Sequence, residues 1–288
     1  MPVAARLAPA KVNLFLHVGP SEADGYHPLA RLVAFADIGD RVTVEPSDRL
    51  SLAVVGPFSA ELAGADDNLI LSALRALGAA AGIGDPLLRA TLDKQLPVAA
   101  GLGGGSSDAG AALKLAQDAL DLPFDDAALA GIAGAVGADG PMCLHARAAW
   151  AGGRGDRLNF EPRLPALPCL LVNPGVPSST AAVYQACDEG PRALADMPPP
   201  PLDWSAQGVI GWLSGQRNDL EAPARALQPV IGETLAAVAS LAGVRLTRMS
   251  GSGATVFALF DTPEAATAAA EALSARRPDW WVRPTVLR

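Results

Sequence analysis

The sequence predicts an α+β fold in two domains, and three observations carry that reading. Between Ala4 and Val55, short alternating or β-branched runs ("KVNLFLHV", "RLVAFADI", "DRVTVEP") sit between Gly, Asp and Pro turn signals and read as a small sheet. Helical and strand-like patterns then alternate to the C-terminus with no internal repeat. A proline-punctuated joint, "EPRLPALP" at Glu161–Pro168, divides them. The expected domains are residues 1–160 and 161–288, with the last strand free to return to the first domain.

The elements follow in order. Asn68 opens "NLILSALRALGAAAG", whose Leu69, Ala73, Leu74 and Leu77 share one helical face before Gly78 and Gly82 end it. "LLRATLDKQLP" is the next strand. It leads into "LPVAAGLGGGSSDAGAALKLA", Leu96 to Ala116, and a helix from Asp108 with Ala109, Leu113, Ala116 and Leu120 along its seam. A further helix at Asp125–Ala135 runs into "GADGPMCL". Beyond the joint come a strand "CLLVNPG", helices, a loop "DMPPPPLD", the turn-bearing "RLTRMSGSGATVFALF", a helix and the strand "WWVRPTVL".

Composition narrows the function. The chain has 288 residues, 50% of them apolar, which is enough to fill a core of that size. Its formal net charge is −8 and it has no basic run, so an extended nucleic-acid footprint is not expected. Cys143, Cys169 and Cys187 are widely spaced and read as free thiols of a reducing compartment. The apolar runs are too short or too broken to span a bilayer, and Arg6 and Lys11 bracket too few apolar residues for a signal peptide. The expectation is a cytoplasmic protein without membrane contact.

The glycine stretch carries the chemistry. Glycines at 101, 103, 104 and 105 let the main chain turn and let a ligand touch it, and a helix start just downstream offers free N–H groups and a positive dipole end. Together these make an anion cradle, with Ser106, Ser107 and Asp108 also able to cap the helix. A P-loop would need Gly-Lys-Ser/Thr, and no lysine follows Gly105; a dinucleotide fingerprint would need a third glycine where Ser106 stands. Phosphate binding is as far as this loop leads by itself.

Spelled "PVAAGLGGGSSDAGAAL", the loop resembles the phosphate-binding motif of the GHMP kinase superfamily. Five further segments agree with that family in order: "APAKVNLFLHV" at Ala8–Val18, "DGYHPL" at Asp24–Leu29, "DNLI" at Asp67–Ile70, "GADGPMCL" at Gly137–Leu144 and "NPGVPSSTAAVY" at Asn173–Tyr184. "MSGSGATVFALF" at Met249–Phe260 completes the set. The resemblance covers nearly the whole chain. It departs at Gly140, where the family carries a branched residue, a change expected to loosen that wall of the site; residues 190–215 match no motif.

The resemblance implies a two-domain fold, with an N-terminal domain like domain 2 of ribosomal protein S5, a ferredoxin-like C-terminal domain and an active site in the cleft between them. It implies an ATP-dependent kinase for the 2-hydroxyl of 4-diphosphocytidyl-2-C-methyl-D-erythritol, a cytidine diphosphate sugar-alcohol, in the non-mevalonate route to isoprenoid precursors. Gly101, Leu102, Gly103, Gly104, Gly105, Ser106 and Ser107 would hold the ATP phosphates, Asn68 would lie near the adenine, and Lys94 would flank the nucleotide. Asp139 would be the general base with the Lys11 ammonium beside it. On the acceptor side, His27 would read the cytosine edge, Tyr26 and Tyr184 would sandwich its ring, and Asn13 would lie near the reacting hydroxyl. Gly251, Ser252 and Gly253 would support both ligands. Mg²⁺ is expected to come with the nucleotide, since no carboxylate pair marks a metal site. Two alternatives stay open on the residues alone: another GHMP small-molecule kinase, for homoserine, mevalonate or a sugar, and a catalytically silent ligand sensor.

Overall fold

Two compact units divide the chain: residues 1–11, 38–98 and 103–146 in the first, and residues 12–37, 99–102 and 147–288 in the second. The structure is a computed structural model and describes residues 4–62, 68–190 and 194–288. Asp67 of the "DNLI" motif lies outside the described residues.

Strands β1 (Ala4–Val18) and β2 (Leu29–Pro46) contribute to both units. The runs "RLVAFADI" and "DRVTVEP" thus form one 18-residue strand, because the Ile38-Gly39-Asp40 segment between them stays extended where the sequence suggested a turn. In the first unit, β3 (Ser51–Val55) is followed by a single 3₁₀ turn and by α1 (Leu69–Ala81). β4 (Leu88–Asp93) runs antiparallel to β2, from Arg41 opposite Asp93 to Pro46 opposite Leu88, and parallel to β3. Helices α2 (Gly104–Ala119), α3 (Asp126–Val136) and α4 (Gly140–His145) complete it. Asn68 caps α1 through the Ile70 N–H, as the sequence reading placed it; of the two glycines read as its end, Gly78 lies buried inside the helix and Gly82 ends it at φ +70°. Ile70, Ala73, Leu74 and Leu77 of α1 join Leu113 and Ala116 of α2 and Leu88, Ala90 and Leu92 of β4 in one core.

The second unit contains β5 (Ala149–Gly153), β6 (Arg157–Phe160), β7 (Leu167–Asn173), α5 (Thr180–Asp188), α6 (Ala206–Ser214), α7 (Glu221–Leu227) and α8 (Pro229–Ala239). β8 (Leu246–Met249), β9 (Val256–Leu259), α9 (Pro263–Arg276) and β10 (Trp281–Leu287) end the chain. β10 pairs antiparallel with the full length of β7, and β7 continues through β9 to β8, also antiparallel. All seven residues of β7 are buried, which explains why that run is apolar without alternation. α8 and α9 pack on this sheet through Ile231, Val238, Ala266 and Leu273.

Glu161, between β6 and β7, accepts hydrogen bonds from Trp150 Nε1 at 3.0 Å and from Arg163 Nε and Nη2, each at 2.8 Å. Arg163 first, then the Trp150 donor, overcome burial and hold the Glu161 carboxyl down at about 2. A depressed carboxyl stabilises the fold above its ordinary value and loses that contribution as pH falls through the folded one, here between 4.5 and about 2. Because Arg163 is exposed, Glu161→Gln is expected to cost only about 1 kcal/mol at pH 7. It should flatten the acid limb of the stability curve, as read by urea unfolding at several pH values.

Candidate active site

Helix α2 opens without a side-chain cap. Gly103, at φ +62°, is its N-cap residue, and no side chain bonds the first turn. The N–H groups of Gly104, Gly105 and Ser106 therefore have no acceptor one turn back and stand at the positive end of the helix dipole. The sequence suggested a helix from Asp108, and the structure begins it at Gly104. Burial of Ala109, Ala112, Leu113 and Ala116 in the core of the first unit offsets the poor helix propensity of the glycines. The serines consequently do not cap. The Ser107 hydroxyl is buried with no hydrogen-bond partner among the described residues.

Lys11 lies against this helix start, where a Cβ on Gly103 would come within 3.1 Å of the lysine Cβ and Cε. Its ammonium reaches Asp139 Oδ2 at 2.5 Å, and both side chains are largely shielded, at 5% and 25% exposure. Asp139 occupies the N-cap position of α4 but makes no capping bond, so its carboxylate serves the lysine and not the helix. At Gly140 the chain runs close to α3: a Cβ would fall 2.5 Å from the Ala133 carbonyl carbon, so a branched residue here would need α4 to sit farther from α3.

Lys94 is 3% exposed and its ammonium is taken by two carboxylates, Asp40 Oδ2 at 2.5 Å and Asp108 Oδ2 at 3.0 Å. Asp40 also accepts the Gln95 and Leu96 N–H groups at 2.6 and 2.8 Å. Burial opposes the Lys94 charge, but the two carboxylates more than offset it and raise its affinity for the proton. Burial, together with the Asp40 charge, pushes the Asp108 carboxyl up to about 8 against the pull of Lys94. Asn68 spends its side-chain oxygen on the cap of α1.

In the second unit, residues 99–102 at the entry to the glycine stretch are sewn to the turn at 250–255. Ser250 Oγ donates to the Gly101 carbonyl at 3.0 Å, and Thr255 N–H to that of Ala100 at 3.1 Å. Leu102 is buried beside them. Ser250 Oγ also accepts the Asn13 N–H at 3.2 Å. Ser252 holds Ser178 through its carbonyl and Thr180 through its hydroxyl, and Gly253 N–H closes the turn on Ser250. Gly251 lies against the Asn13 amide. Asn13 is 2% exposed, yet its Oδ1 has no partner among the described residues. Asn218, which sequence reasoning missed, ties the turn from below by donating to the Met249 and Gly251 carbonyls at 2.9 and 2.8 Å. An Asn-Asp pair in a loop reads as an ordinary turn, so nothing local marked it.

His27 and Tyr184 come together in the same unit, ring centroids 5.0 Å apart. His27 Nδ1 must donate to the Gly19 carbonyl at 2.9 Å, since a carbonyl only accepts, and Nε2 faces Asp188 Oδ2 at 3.5 Å. Beside them opens a cavity of about 460 Å³, lined by Gly19, His27, Asp188, Asn218, Asp219 and Ala222 among others. Tyr26 is 56% exposed and stacks under the Arg154 guanidinium, which also pairs with Glu22 and Asp24. The three cysteines are free thiols. No helix among the described residues is long and apolar enough to cross a membrane.

An uncapped glycine helix start with a Lys–Asp pair beside it is a cradle suited to an anion. Residues 68–147 match the GHMP kinases N terminal domain and residues 210–279 the GHMP kinases C terminal domain, and the chain belongs to the GHMP kinases. Its α+β architecture is the fold of that class. A solved 4-(cytidine 5'-diphospho)-2C-methyl-D-erythritol kinase superposes with a TM-score of 0.78 at 36% identity, covering 99% of both chains. The 4-diphosphocytidyl-2-C-methyl-D-erythritol kinase of Caulobacter vibrioides is 51% identical over 96% of each chain, and that of Methylobacterium radiotolerans 50% identical over 100% of each. Within the GHMP kinases, the chain belongs to the 4-diphosphocytidyl-2-C-methyl-D-erythritol kinase family. The homoserine kinase of Cytophaga hutchinsonii, at TM-score 0.70 and 18% identity, shares the fold.

Proposed function

We propose that this chain transfers the γ-phosphoryl group of ATP to the 2-hydroxyl of 4-diphosphocytidyl-2-C-methyl-D-erythritol, giving the 2-phosphate and ADP. The observation that carries the reading is the Lys11–Asp139 pair held against an open phosphate-binding helix start. A silent sensor has no use for a largely buried base and cation at that place. The acceptor oxygen attacks the γ-phosphorus, the bond to the bridging β,γ oxygen breaks, ADP leaves, and the hydroxyl proton passes to Asp139. Lys11 keeps Asp139 ionised in the ground state and offsets charge building on the attacking oxygen.

The N–H groups of Gly103, Gly104, Gly105 and Ser106 and the hydroxyls of Ser106 and Ser107 would cradle the phosphates, with Gly101 and Leu102 fixing the entry to the loop. Asn68 and Lys94 act here mainly as supports, one capping α1 and the other holding α2 from behind. Asn13 Oδ1, a buried acceptor without a partner, suits a substrate hydroxyl. His27 would present its Nε2 edge to the cytosine, with the Tyr184 and Tyr26 faces on the ring and Gly251, Ser252 and Gly253 backing both ligands. Among the described residues no group of His, Cys, Asp or Glu side chains forms a metal cage. Mg²⁺ arriving with ATP would supply charge neutralisation on the phosphates.

Loss of one stacking face is expected to raise KM for the cytidine substrate about tenfold in Tyr184→Ala, with KM for ATP unchanged. Steady-state kinetics with each substrate varied checks this. The function itself is tested by ADP release from Mg-ATP with four acceptors: the cytidine compound, homoserine, mevalonate and galactose. Turnover with the cytidine compound alone is expected. Turnover with another acceptor, or with none, would contradict the proposal.

A further inference from the structure

Behind the start of α2, a single buried lysine faces two carboxylates. Lys94, Asp40 and Asp108 are 3%, 0% and 4% exposed at their side chains, so water screens none of them. They do not share equally. Asp40 takes three donors, the Lys94 ammonium and the N–H groups of Gln95 and Leu96. Asp108 takes one, and its Oδ1 is buried without a partner. An ionised carboxylate with one donor and a bare oxygen is costly to bury, whereas the protonated form can hand its O–H to the Asp40 carboxylate beside it. The cluster also reaches the cradle: a Cβ on Gly104, the first residue of α2, would stand 2.9 Å from Lys94 Nζ and 3.5 Å from Asp40 Oδ2.

We infer that Asp108 is a positioning residue for ATP: as the protonated member of this triad it anchors α2 to β2 and β4 while placing no net negative charge behind the nucleotide phosphates. The inference rests on the ATP site proposed above. With the proton present, the three groups sum to zero. Without it they sum to minus one, directly beneath a helix end that must hold a polyanion. The raised carboxyl of Asp108 puts this change near pH 8: stability should fall as pH rises from 3.8 to about 8, and ATP affinity should fall as pH rises beyond it.

Several other charged groups on the elements packed around α2 have partners of their own. Arg75 on α1 pairs with Asp85, Arg89 on β4 with Glu45, and Lys11 with Asp139, while Asp93 accepts from Gln95 Nε2. Lys114 and Asp118 lie on α2 itself, Asp126 opens α3 and His145 ends α4. Among the described residues, Lys94 is the one donor to Asp108, and the Asp40 carboxyl is the other side chain within hydrogen-bonding reach of it.

The test is calorimetric binding of Mg-ATP at pH 7, 8 and 9 to the intact protein and to Asp108→Asn. The dissociation constant is expected to rise about three- to tenfold from pH 7 to pH 9 in the unaltered protein and to stay near its pH 7 value in the variant. ATP's own titration is common to both and cancels. Asp40→Asn, which also matches one carboxylate to one lysine, is expected to lose the rise in the same way and serves if Asp108→Asn does not fold. A flat profile in the unaltered protein, or an equal rise in the folded variants, overturns the inference. Absence of ATP binding at every pH overturns the proposed function and this inference with it.

Discussion

Asp139→Asn is expected to lower kcat about 10²–10⁴-fold while KM for either substrate changes little. The amide is nearly isosteric and can still accept from Lys11, so α4 keeps its position and the loss falls on chemistry. Two consequences separate this from a structural effect. Asp139 is an N-cap residue that does not cap, so removing its charge takes no bond from the helix. The variant should also leave Lys11, now without its counter-charge, free to attract the nucleotide, so that ATP binds at least as tightly. Near-normal turnover in a folded Asp139→Asn protein would remove the carboxylate from the mechanism. Single-turnover kinetics at saturating substrates reads this without interference from product release.

Gly103→Val is expected to reduce kcat/KM for ATP about 10²–10³-fold through two faults at one position. A β-branched residue at φ +62° is a strong outlier, so the chain leaves the left-handed conformation and the first turn of α2 loses its aim. The new Cβ would also begin 3.1 Å from the Lys11 side chain, displacing the ammonium from Asp139. Gly103→Ala keeps the second fault and softens the first, and should fall between the two proteins. Equal kinetics for all three would mean that this helix start does not touch the nucleotide.

The legible part of the fold came from positions where local chemistry has a single solution. Asn68 before a run with apolar residues on one face gave the start of α1, whereas Gly78, one of the two glycines read as its end, lies inside the helix and Gly82 alone stops it. The strand at "CLLVNPG" was readable, although β7 begins two residues earlier, at Leu167, inside the proline-punctuated joint. The sequence pattern failed where tertiary burial overrode it: β2 runs straight through Gly39, and α2 starts on glycines that carry little helix propensity. Candidate site residues that sit inside an ordered motif, such as Lys11 and Asp139, could be named before their geometry was known. Asp40, Asp188 and Asn218 could not, because each acts through a partner far along the chain. Asp40 meets Lys94 across 54 positions, and Asn218 meets the 249–251 turn across more than 30. Lys94 was legible as a residue near the phosphate loop, whereas its two carboxylate partners were not.

The central claim is the reaction, and phosphorus NMR of the purified protein with Mg-ATP and 4-diphosphocytidyl-2-C-methyl-D-erythritol tests it most directly. A new phosphomonoester resonance growing in step with ADP, and much slower with Asp139→Asn, is the expected result. No phosphomonoester from a protein that still binds ATP would contradict it.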